Sequence, residues 1–259
     1  MSVRNNTKTL LMTFGAALAL SACGGGSDSV VSPGEGAFPP APPPTTPPPT
    51  TPPPTTPPPP TAGPAADCPT GFTDRGTVAG ATLRACELPP VITGSLLVPN
   101  RAGTIYQISG KTNVGTDRGA DFNNPNAGTA AATLTIEPGV TLFASSGNDY
   151  LVVNRGSKIA AAGTADEPIT FTARQAIEGN VDGSSIGLWG GIILLGRAPI
   201  NACPGTTVSG TPECQTQIEG TNGSQYGGNY PADDSGVMRY VRVAYSGFEI
   251  APGNELQGI

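Results

Sequence analysis

From about Glu87 onward, the sequence predicts an all-β domain and, within that class, a β-solenoid. Short runs of alternating apolar residues are separated by Gly, Asn and Asp, and almost no segment follows a helical period. Two runs, TIEPGVTLFA at 135–144 and VVNRGSKIAA at 152–161, align at a shift of 17, so that Gly139 coincides with Gly156. A glycine that recurs between two short strands marks a corner with positive φ. Such strands, with a repeat of about 17–22 residues, fit a solenoid.

A β-sandwich is the alternative fold. It requires antiparallel hairpins with two-residue Asn-Gly or Asp-Gly turns. Asn222-Gly223 and Asp182-Gly183 are present, but neither lies between two clean strands. The clearest predicted strands are residues 133–136, 140–144, 150–153, 169–172, 192–195 and 240–245.

The amino terminus predicts export. Arg4 and Lys8 form a short basic region, and the apolar run LLMTFGAALAL at 10–20 has the length of a signal-peptide core. The following Leu-Ser-Ala-Cys resembles the bacterial lipobox, in which Cys23 receives a diacylglyceryl group and residues 1–22 are removed. By the same resemblance, Gly24 after the cysteine implies the outer membrane. Several acyl chains would anchor the protein firmly.

A spacer follows the predicted anchor. Residues 23–37 are rich in Gly and Ser and predict a flexible segment, whereas 38–66 are nearly all Pro and Thr and contain a PPPTT repeat. Proline fixes φ and lacks an N–H, so this segment should adopt polyproline II and reach roughly 80 Å. The threonines are also candidates for O-linked sugar. We expect the spacer to carry the domain away from the lipid surface.

The composition excludes several functions. The net charge is −6 and becomes more negative when Arg4 and Lys8 are removed, which argues against a nucleic-acid partner. The chain has no histidine. Its absence removes Ser-His-Asp and Cys-His catalysis and the commonest transition-metal ligand.

Four further cysteines form two local pairs. In an exported protein, an even number of nearby cysteines indicates disulfides, so we predict Cys68–Cys86 and Cys203–Cys214. A metal site built from all four thiolates is the alternative, but neither pair has the tight spacing that zinc favours. We assign residues 67–90 to a disulfide-stapled cap and 91–259 to the solenoid.

Several motifs occur in one order along residues 86–259. They are DEPITFTA at 166–173, GLWGGIILLGRAPIN at 187–201, IEG at 218–220, DDSGVMRYVRVAYSG at 233–247 and GNELQGI at 253–259. This part of the chain resembles a family of bacterial secreted proteins and lipoproteins of unassigned biochemical function. The resemblance implies a right-handed parallel β-helix and carries no catalytic assignment. In those relatives the helix continues beyond GNELQGI, so we expect this chain to be a fragment.

The GLWGGIILLGRAPI segment predicts a buried strand at 192–195, bounded by Gly191 and Gly196. Its apolar part is far too short to cross a membrane. Trp189 should flank the core. The alternative is an exposed Trp189 that stacks on a carbohydrate.

Asp233 and Asp234 are the candidate metal ligands. Paired carboxylates and nearby carbonyls bind Ca²⁺, and a β-helix with calcium and an arginine base, Arg239 or Arg242, would resemble a polysaccharide lyase. The competing interpretation is a turn, because Asp bonds its own backbone two residues on and the chain must re-enter the solenoid at Val237. We therefore expect no resident cofactor, with calcium as the alternative.

Residues 201–235 form a long segment between predicted strands, and long loops in compact domains are often functional. Tyr226 and Tyr230 are its candidate contacts to a surface glycan or an envelope protein. The sequence thus predicts a lipid-anchored cell-surface β-helix with a binding or structural role and no catalysis. A calcium-dependent polysaccharide lyase, or another carbohydrate-active β-helix enzyme, is the alternative.

Overall fold

The computed structural model describes residues 63–221, 223–251 and 254–259. The predicted signal peptide, Cys23, the 23–37 segment and the spacer up to residue 62 lie outside the described residues. The described strands are β1 (Thr73–Val78), β2 (Leu83–Glu87), β3 (Val91–Ile92), β4 (Gly94–Val98), β5 (Thr104–Ile108), β6 (Lys111–Val114), β7 (Ala132–Ile136), β8 (Thr141–Ala144), β9 (Tyr150–Val153), β10 (Lys158–Ala162), β11 (Ile169–Ala173), β12 (Gly191–Leu194), β13 (Thr216–Gln217), β14 (Gln225–Tyr226), β15 (Gly236–Arg239), β16 (Val241–Val243), β17 (Glu249–Ala251) and β18 (Asn254–Glu255). A four-residue helix, α1 (Arg174–Ile177), follows β11. No helix in the described part of the chain is long and apolar enough to span a membrane.

Most strands belong to three sheets. The first has the order β1-β2-β5-β8-β11-β16, the second β3-β6-β9-β12, and the third β4-β7-β10-β15. Apart from β1–β2, which is antiparallel, every pair in these sheets is parallel. We call a segment that adds one strand to each sheet a coil. Coil 1 spans residues 83–98, coil 2 spans 104–136, coil 3 spans 141–162 and coil 4 spans 169–239.

This topology confirms the predicted all-β class and does not fit the β-sandwich alternative. A sandwich is built from antiparallel strands, whereas among the described strands antiparallel pairing is limited to β1–β2 and two pairs of short strands, β13–β14 and β17–β18. The six strands predicted most clearly from the sequence correspond to β7, β8, β9, β11, β12 and β16. The alternation of apolar residues was therefore a sufficient signal for these strands.

The corner glycines behave as predicted, but the predicted repeat length is wrong. Gly139 and Gly156 have φ of 79° and 80° and connect β7 to β8 and β9 to β10. They occupy two different corners, with the β8–β9 corner between them, so the 17-residue shift does not compare equivalent positions of successive coils. The spacing between paired strands varies widely, from Arg84↔Thr104 to Ile159↔Gly236, because coils 2 and 4 contain long loops.

The core consists of apolar side chains that stack from coil to coil. In the first sheet, one such row runs through Cys86, Tyr106, Leu142, Phe171 and Val243, each paired in register with the next. The first four are at most 1% exposed. Burying a side chain of this size contributes roughly 1.5–3 kcal/mol. Stacking in rows repeats that contribution at every coil.

The two disulfides form as predicted. Cys68–Cys86 joins the segment before β1 to β2, with Cα atoms 5.5 Å apart. Cys203–Cys214 closes a short loop after β12, with Cα atoms 4.7 Å apart. The first disulfide therefore fixes the end of the first sheet, and the second lies in the segment of coil 4 between β12 and β15.

Candidate binding site

Two insertions leave the coils at the same corner, between the second and the third sheet. In coil 2 the short insertion, residues 115–131, separates β6 from β7, and in coil 4 the long insertion, residues 195–235, separates β12 from β15. Coil 3 turns the same corner in the four residues 154–157. The predicted long segment at 201–235 is thus confirmed, and the structure places it inside coil 4.

The two insertions are joined to each other. Asn229 accepts a hydrogen bond from the backbone N–H of Phe122 at 2.9 Å and donates one to Asp121 Oδ1 at 2.9 Å. Its own N–H donates to the carbonyl of Ala120 at 3.3 Å. A side chain at Gly228 would collide with that carbonyl, so this close approach requires glycine.

Arg155 is the buried residue that holds both insertions against coil 3. Its side chain is 1% exposed and donates from Nε and Nη2 to the Asp117 carboxylate at 2.7 and 2.6 Å. Its Nη1 donates to Gln215 Oε1 at 2.8 Å and to the carbonyl of Gly227 at 3.1 Å. One guanidinium thereby bonds to the short insertion and to two points of the long one. Paired, planar hydrogen bonds of this kind are the strong ones.

The long insertion packs on the second sheet and forms a groove of about 750 Å³. Its walls are mainly aliphatic, and Tyr226, Gln217, Glu219 and Gln257 supply the polar groups. The lining residues are Ile192, Ile193, Leu194, Leu195, Gly196, Ala198, Ile200, Gln217, Ile218, Glu219, Tyr226, Gly227, Leu256, Gln257 and Ile259. A concave, largely apolar site with a few polar groups is typical of ligand pockets.

The second disulfide supports a wall of this groove. The carbonyl of Ile200 lies 3.6 Å from Cys203 Sγ and 3.5 Å from Cys214 Sγ. Gly227, with φ of 97°, packs so closely on the carbonyl of Cys214 that a side chain there would lie 2.7 Å from it. Both Ile200 and Gly227 line the groove, so the disulfide fixes the wall to which they belong.

The two candidate tyrosines lie in different surroundings. Tyr226, in β14, is half-buried and lines the groove. Tyr230 is outside the groove lining and stacks on Phe122, with ring centroids 3.8 Å apart and planes at 12°. The structure therefore does not bring the two predicted contacts into one site.

The candidate metal ligands are each engaged by a different partner. Asp233 Oδ2 accepts the backbone N–H of Arg197 at 2.8 Å. Asp234 Oδ2 bonds to Lys158 Nζ at 2.5 Å, and its Oδ1 accepts the N–H of Gly236 at 2.8 Å. The Lys158 ammonium holds the pKa of Asp234 below its usual range, with the Gly236 N–H acting in the same direction. The last bond is the Asp turn of the competing interpretation, at the point where β15 begins.

Among the described residues, no three His, Cys, Asp or Glu side chains lie close enough together to hold a metal ion. Glu219 lines the groove, whereas Arg239 and Arg242 are exposed on β15 and β16. The residues of the lyase hypothesis are therefore distributed over several surfaces. Calcium binding at Asp233 and Asp234 stays a prediction.

Trp189 is fully buried, and its Nε1 donates to the carbonyl of Ala244 at 2.8 Å. This confirms the core interpretation and leaves no ring face for a sugar.

Lys111 and Ser224 form a part-buried polar contact, with Nζ 2.9 Å from Oγ. Burial lowers the pKa of Lys111, as a serine–lysine nucleophile would require, but Ser224 is 0% exposed. A substrate has no access to it, so the pair ties β6 to the long insertion.

Sequence reasoning missed the short insertion and the arginines around it. DFNNPN at 121–126 is rich in turn-forming residues and could have indicated a loop. Nothing in the sequence indicated that Arg155 and Arg197 are buried, because arginine is rarely inside a protein without a partner. These contacts depend on which strands pair, and the pairing was not predicted.

A comparison with known families agrees with this fold. A family model described as a pectate-lyase-like beta helix domain matches residues 106–259, which is more than half of the chain. The match runs from β5 to the last residue and includes both insertions. No curated protein and no solved structure gave a match. The chain belongs to the pectate-lyase-like beta-helix family.

Proposed function

We propose that this protein is a lipid-anchored cell-surface protein that binds a ligand of the bacterial envelope without catalysing a reaction. The observation that carries the proposal is the groove between the long insertion and the second sheet. Its volume of about 750 Å³ lies within the ~300–1,000 Å³ usual for ligand sites. We also infer that the three parallel sheets close into a right-handed parallel β-helix, since successive coils add one strand to each sheet.

The lining of the groove favours an apolar ligand. Leu194, which is 38% exposed, and the half-buried Ile218 present aliphatic surface to the groove, whereas Ile192 and Leu256 are buried beneath it. The polar side chains of the groove, Gln217, Glu219, Tyr226 and Gln257, are outnumbered by its aliphatic ones. An apolar segment of an envelope protein therefore fits the groove better than a glycan.

The anchoring part of the proposal rests on the sequence. The Leu-Ser-Ala-Cys motif at Cys23 and the Pro/Thr spacer would place the domain outside the lipid surface. The two disulfides in the domain fit an oxidising compartment. The test is metabolic labelling of cells with radioactive palmitate, followed by protease treatment of intact cells. Label should enter the wild type and not Cys23→Ala, and protease should remove the domain; unlabelled or protected protein would refute surface anchoring.

Binding at the groove is tested with isolated cell envelopes of the producing bacterium and with protein that lacks residues 1–62, so that the proposed lipid anchor cannot itself cause sedimentation. Tyr226→Ala and Ile218→Asp should weaken sedimentation with envelopes by at least about tenfold, because each removes apolar contact in the groove. Val208→Ala is the matched control, since Val208 is on the long insertion, 66% exposed and outside the groove. If all four proteins sediment alike, the groove is not the binding site. If wild type does not sediment, a structural role replaces binding.

A carbohydrate-active enzyme is the second candidate, and the family match is the observation that favours it. The purified protein would be incubated with acidic polysaccharides, with and without Ca²⁺, while the ultraviolet absorbance of unsaturated uronate ends is followed. We expect no change. A calcium-dependent rise that is lost in Asp234→Ala would replace the binding proposal with a lyase site at Asp233 and Asp234.

A further inference from the structure

Two arginine side chains near the joined insertions have buried donors that no group of the protein satisfies. Arg197 is 2% exposed, and its Nε donates to the carbonyl of Gly119 at 3.0 Å. Its Nη2 and the Nε of Arg118 are buried and have no hydrogen-bond partner among the described residues. An unsatisfied buried donor on a charged group is costly, so each such atom calls for an explanation.

These donors lie close together at one corner. A side chain at Gly156 would collide with Nη2 of Arg197 and would lie 3.1 Å from Cδ of Arg118. The Arg197 guanidinium and the end of the Arg118 aliphatic chain therefore pack on the same glycine. The absence of a Cβ at this corner is what leaves room for them.

The carboxylates nearby are already committed. Asp117 is paired with Arg155, and Asp121 accepts hydrogen bonds from Asn124 and Asn229. Asp233, the carboxylate that most favours the charged form of Arg197, bonds to the backbone N–H of that residue.

The balance of charge at this corner is therefore positive. Burial lowers the pKa of Arg197, and the neighbouring Arg118 and Arg155 guanidiniums lower it further against the opposing effects of Asp233 and Asp117. Three guanidinium groups thus face two carboxylates. An added negative charge would relieve this repulsion.

An aromatic surface adjoins the arginines and is open to solvent. The Phe122 ring is 42% exposed and has the Arg197 guanidinium 5.8 Å from its centre. Its other contact is the stacked ring of Tyr230. Arg118 is itself partly exposed, so a molecule can approach from that side and place its body against Phe122.

We propose that Arg118 and Arg197 form an oxyanion-binding site that takes a carboxylate or sulfate group of an acidic molecule, with Phe122 contacting the rest of that molecule. Guanidinium groups match both oxyanions geometrically and donate two hydrogen bonds at once. None of the three residues lines the groove. The inference therefore goes beyond the proposed function and does not rest on it.

The experiment observes the arginine N–H groups directly. Protein labelled with ¹⁵N-arginine would be titrated with sodium glucuronate and, separately, with sodium sulfate, at ionic strength held constant with sodium chloride. The Nε–H signals of Arg118 and Arg197 should shift and saturate at millimolar concentration, whereas that of the exposed Arg242 should not. Stronger binding of one probe identifies the group as a carboxylate or a sulfate.

Three variants complete the test. Arg118→Ala should weaken binding by on the order of tenfold or more, as expected for the loss of a charged hydrogen-bond donor, and Arg242→Ala should leave it unchanged. Tyr226→Ala, in the groove, should also leave it unchanged, which separates this site from the proposed function. Equal shifts with chloride alone, or shifts in wild type that do not include Arg118 and Arg197, would overturn the site. Because the wild-type titration needs no variant, that outcome is decisive even if Arg118→Ala fails to fold.

Discussion

The coils and the insertions are held in place by different forces. In the coils, apolar side chains stack in rows, and each row repeats the same contact from one coil to the next. The insertions depend on a few specific contacts, namely one buried arginine, one disulfide and the Asn229 hydrogen bonds, and on one apolar contact in which Ile218 and Tyr226 pack on the second sheet. We therefore expect substitutions in the rows to change the stability of the domain, and substitutions in the insertions to change what it binds. The rows continue through coil 3, which has no insertion at this corner, so we expect changes in the insertions to leave the rows intact.

The largest effect should come from breaking a core row. Phe171→Ala removes a fully buried ring between Leu142 and Val243, and such a change costs about 3–5 kcal/mol in the free energy of unfolding. Urea unfolding followed by circular dichroism measures it. Thr170→Ala, one residue earlier and partly exposed, is the control and should cost far less. A Phe171→Ala loss below about 1 kcal/mol would mean that the rows do not carry the stability.

The next effect should be confined to the insertions. Arg155→Met removes the charged donor of Asp117, which keeps the Gly119 N–H, and leaves the Gly227 carbonyl without the Arg155 donor. Removing one partner of a buried pair costs about 3 kcal/mol, the low end of the usual range, because the Asp117 side chain keeps 24% of its exposure. Hydrogen exchange should show residues 115–131 and 195–235 losing protection while β8 and β11 keep theirs.

A matched double variant sharpens this prediction. Asp117→Asn combined with Arg155→Met removes the stranded charge, so it should restore part of the protection lost in Arg155→Met alone. Loss of protection throughout the coils would show that Arg155 supports the whole domain. In that case the separation of the two regions would be wrong.

The same contrast explains what could be predicted from the sequence. Strands such as β9 and β11, the corner glycines Gly139 and Gly156 and the two disulfides follow from residues close together in the chain, and these predictions were confirmed. The 17-residue repeat failed because it compares two different corners, and because insertions change the length of individual coils. Local patterns cannot give the register of parallel strands separated by such insertions.

Only those parts of the candidate site that depend on residues close together in the sequence could be predicted. Tyr226 was found because it lies in a long segment bounded by predicted strands, and it lines the groove. Arg155 and Asp117 meet only because β6 and β9 pair in parallel, which brings the corners of coils 2 and 3 together. The aliphatic walls of the groove looked like ordinary core residues, since an apolar pocket and an apolar core use the same side chains.

One disulfide ends on a strand of coil 1 and the other lies in the long insertion. Removing each in turn therefore compares the two regions directly. Replacing Cys203 and Cys214 with Ala should cost about 2–3 kcal/mol, as expected for opening a short loop, and should weaken envelope binding because a groove wall is released. Replacing Cys68 and Cys86 should cost more, since Cys86 is also a fully buried member of the core row. Replacing Cys68 and Cys86 should leave envelope binding intact. Thermal unfolding and envelope sedimentation measure the two effects, and the reverse order of stabilities would contradict the comparison.

The smallest effect tests the one hydroxyl in the core row described above. Tyr106 donates from its OH to the carbonyl of Pro99 at 2.7 Å, so Tyr106→Phe should lose about 1 kcal/mol at neutral pH. Burial also raises the pKa of Tyr106 from 10.0 to about 12. The unfolded chain therefore releases this proton first as the pH rises. The stability contributed by the group is complete below pH 10 and falls as the pH approaches 12.

The phenylalanine variant should lack this alkaline loss, apart from the part due to Tyr150, whose pKa is also raised by burial. The advantage of wild type over Tyr106→Phe should thus be present at pH 7 and shrink steadily between pH 10 and 12, as measured by urea unfolding at each pH. Parallel stability curves across that range would show that the phenol ionises in the folded protein as easily as in the unfolded chain. The inner side of the first sheet would then be open to water. The contrast between a dry core and polar insertions, on which the other predictions depend, would have to be abandoned.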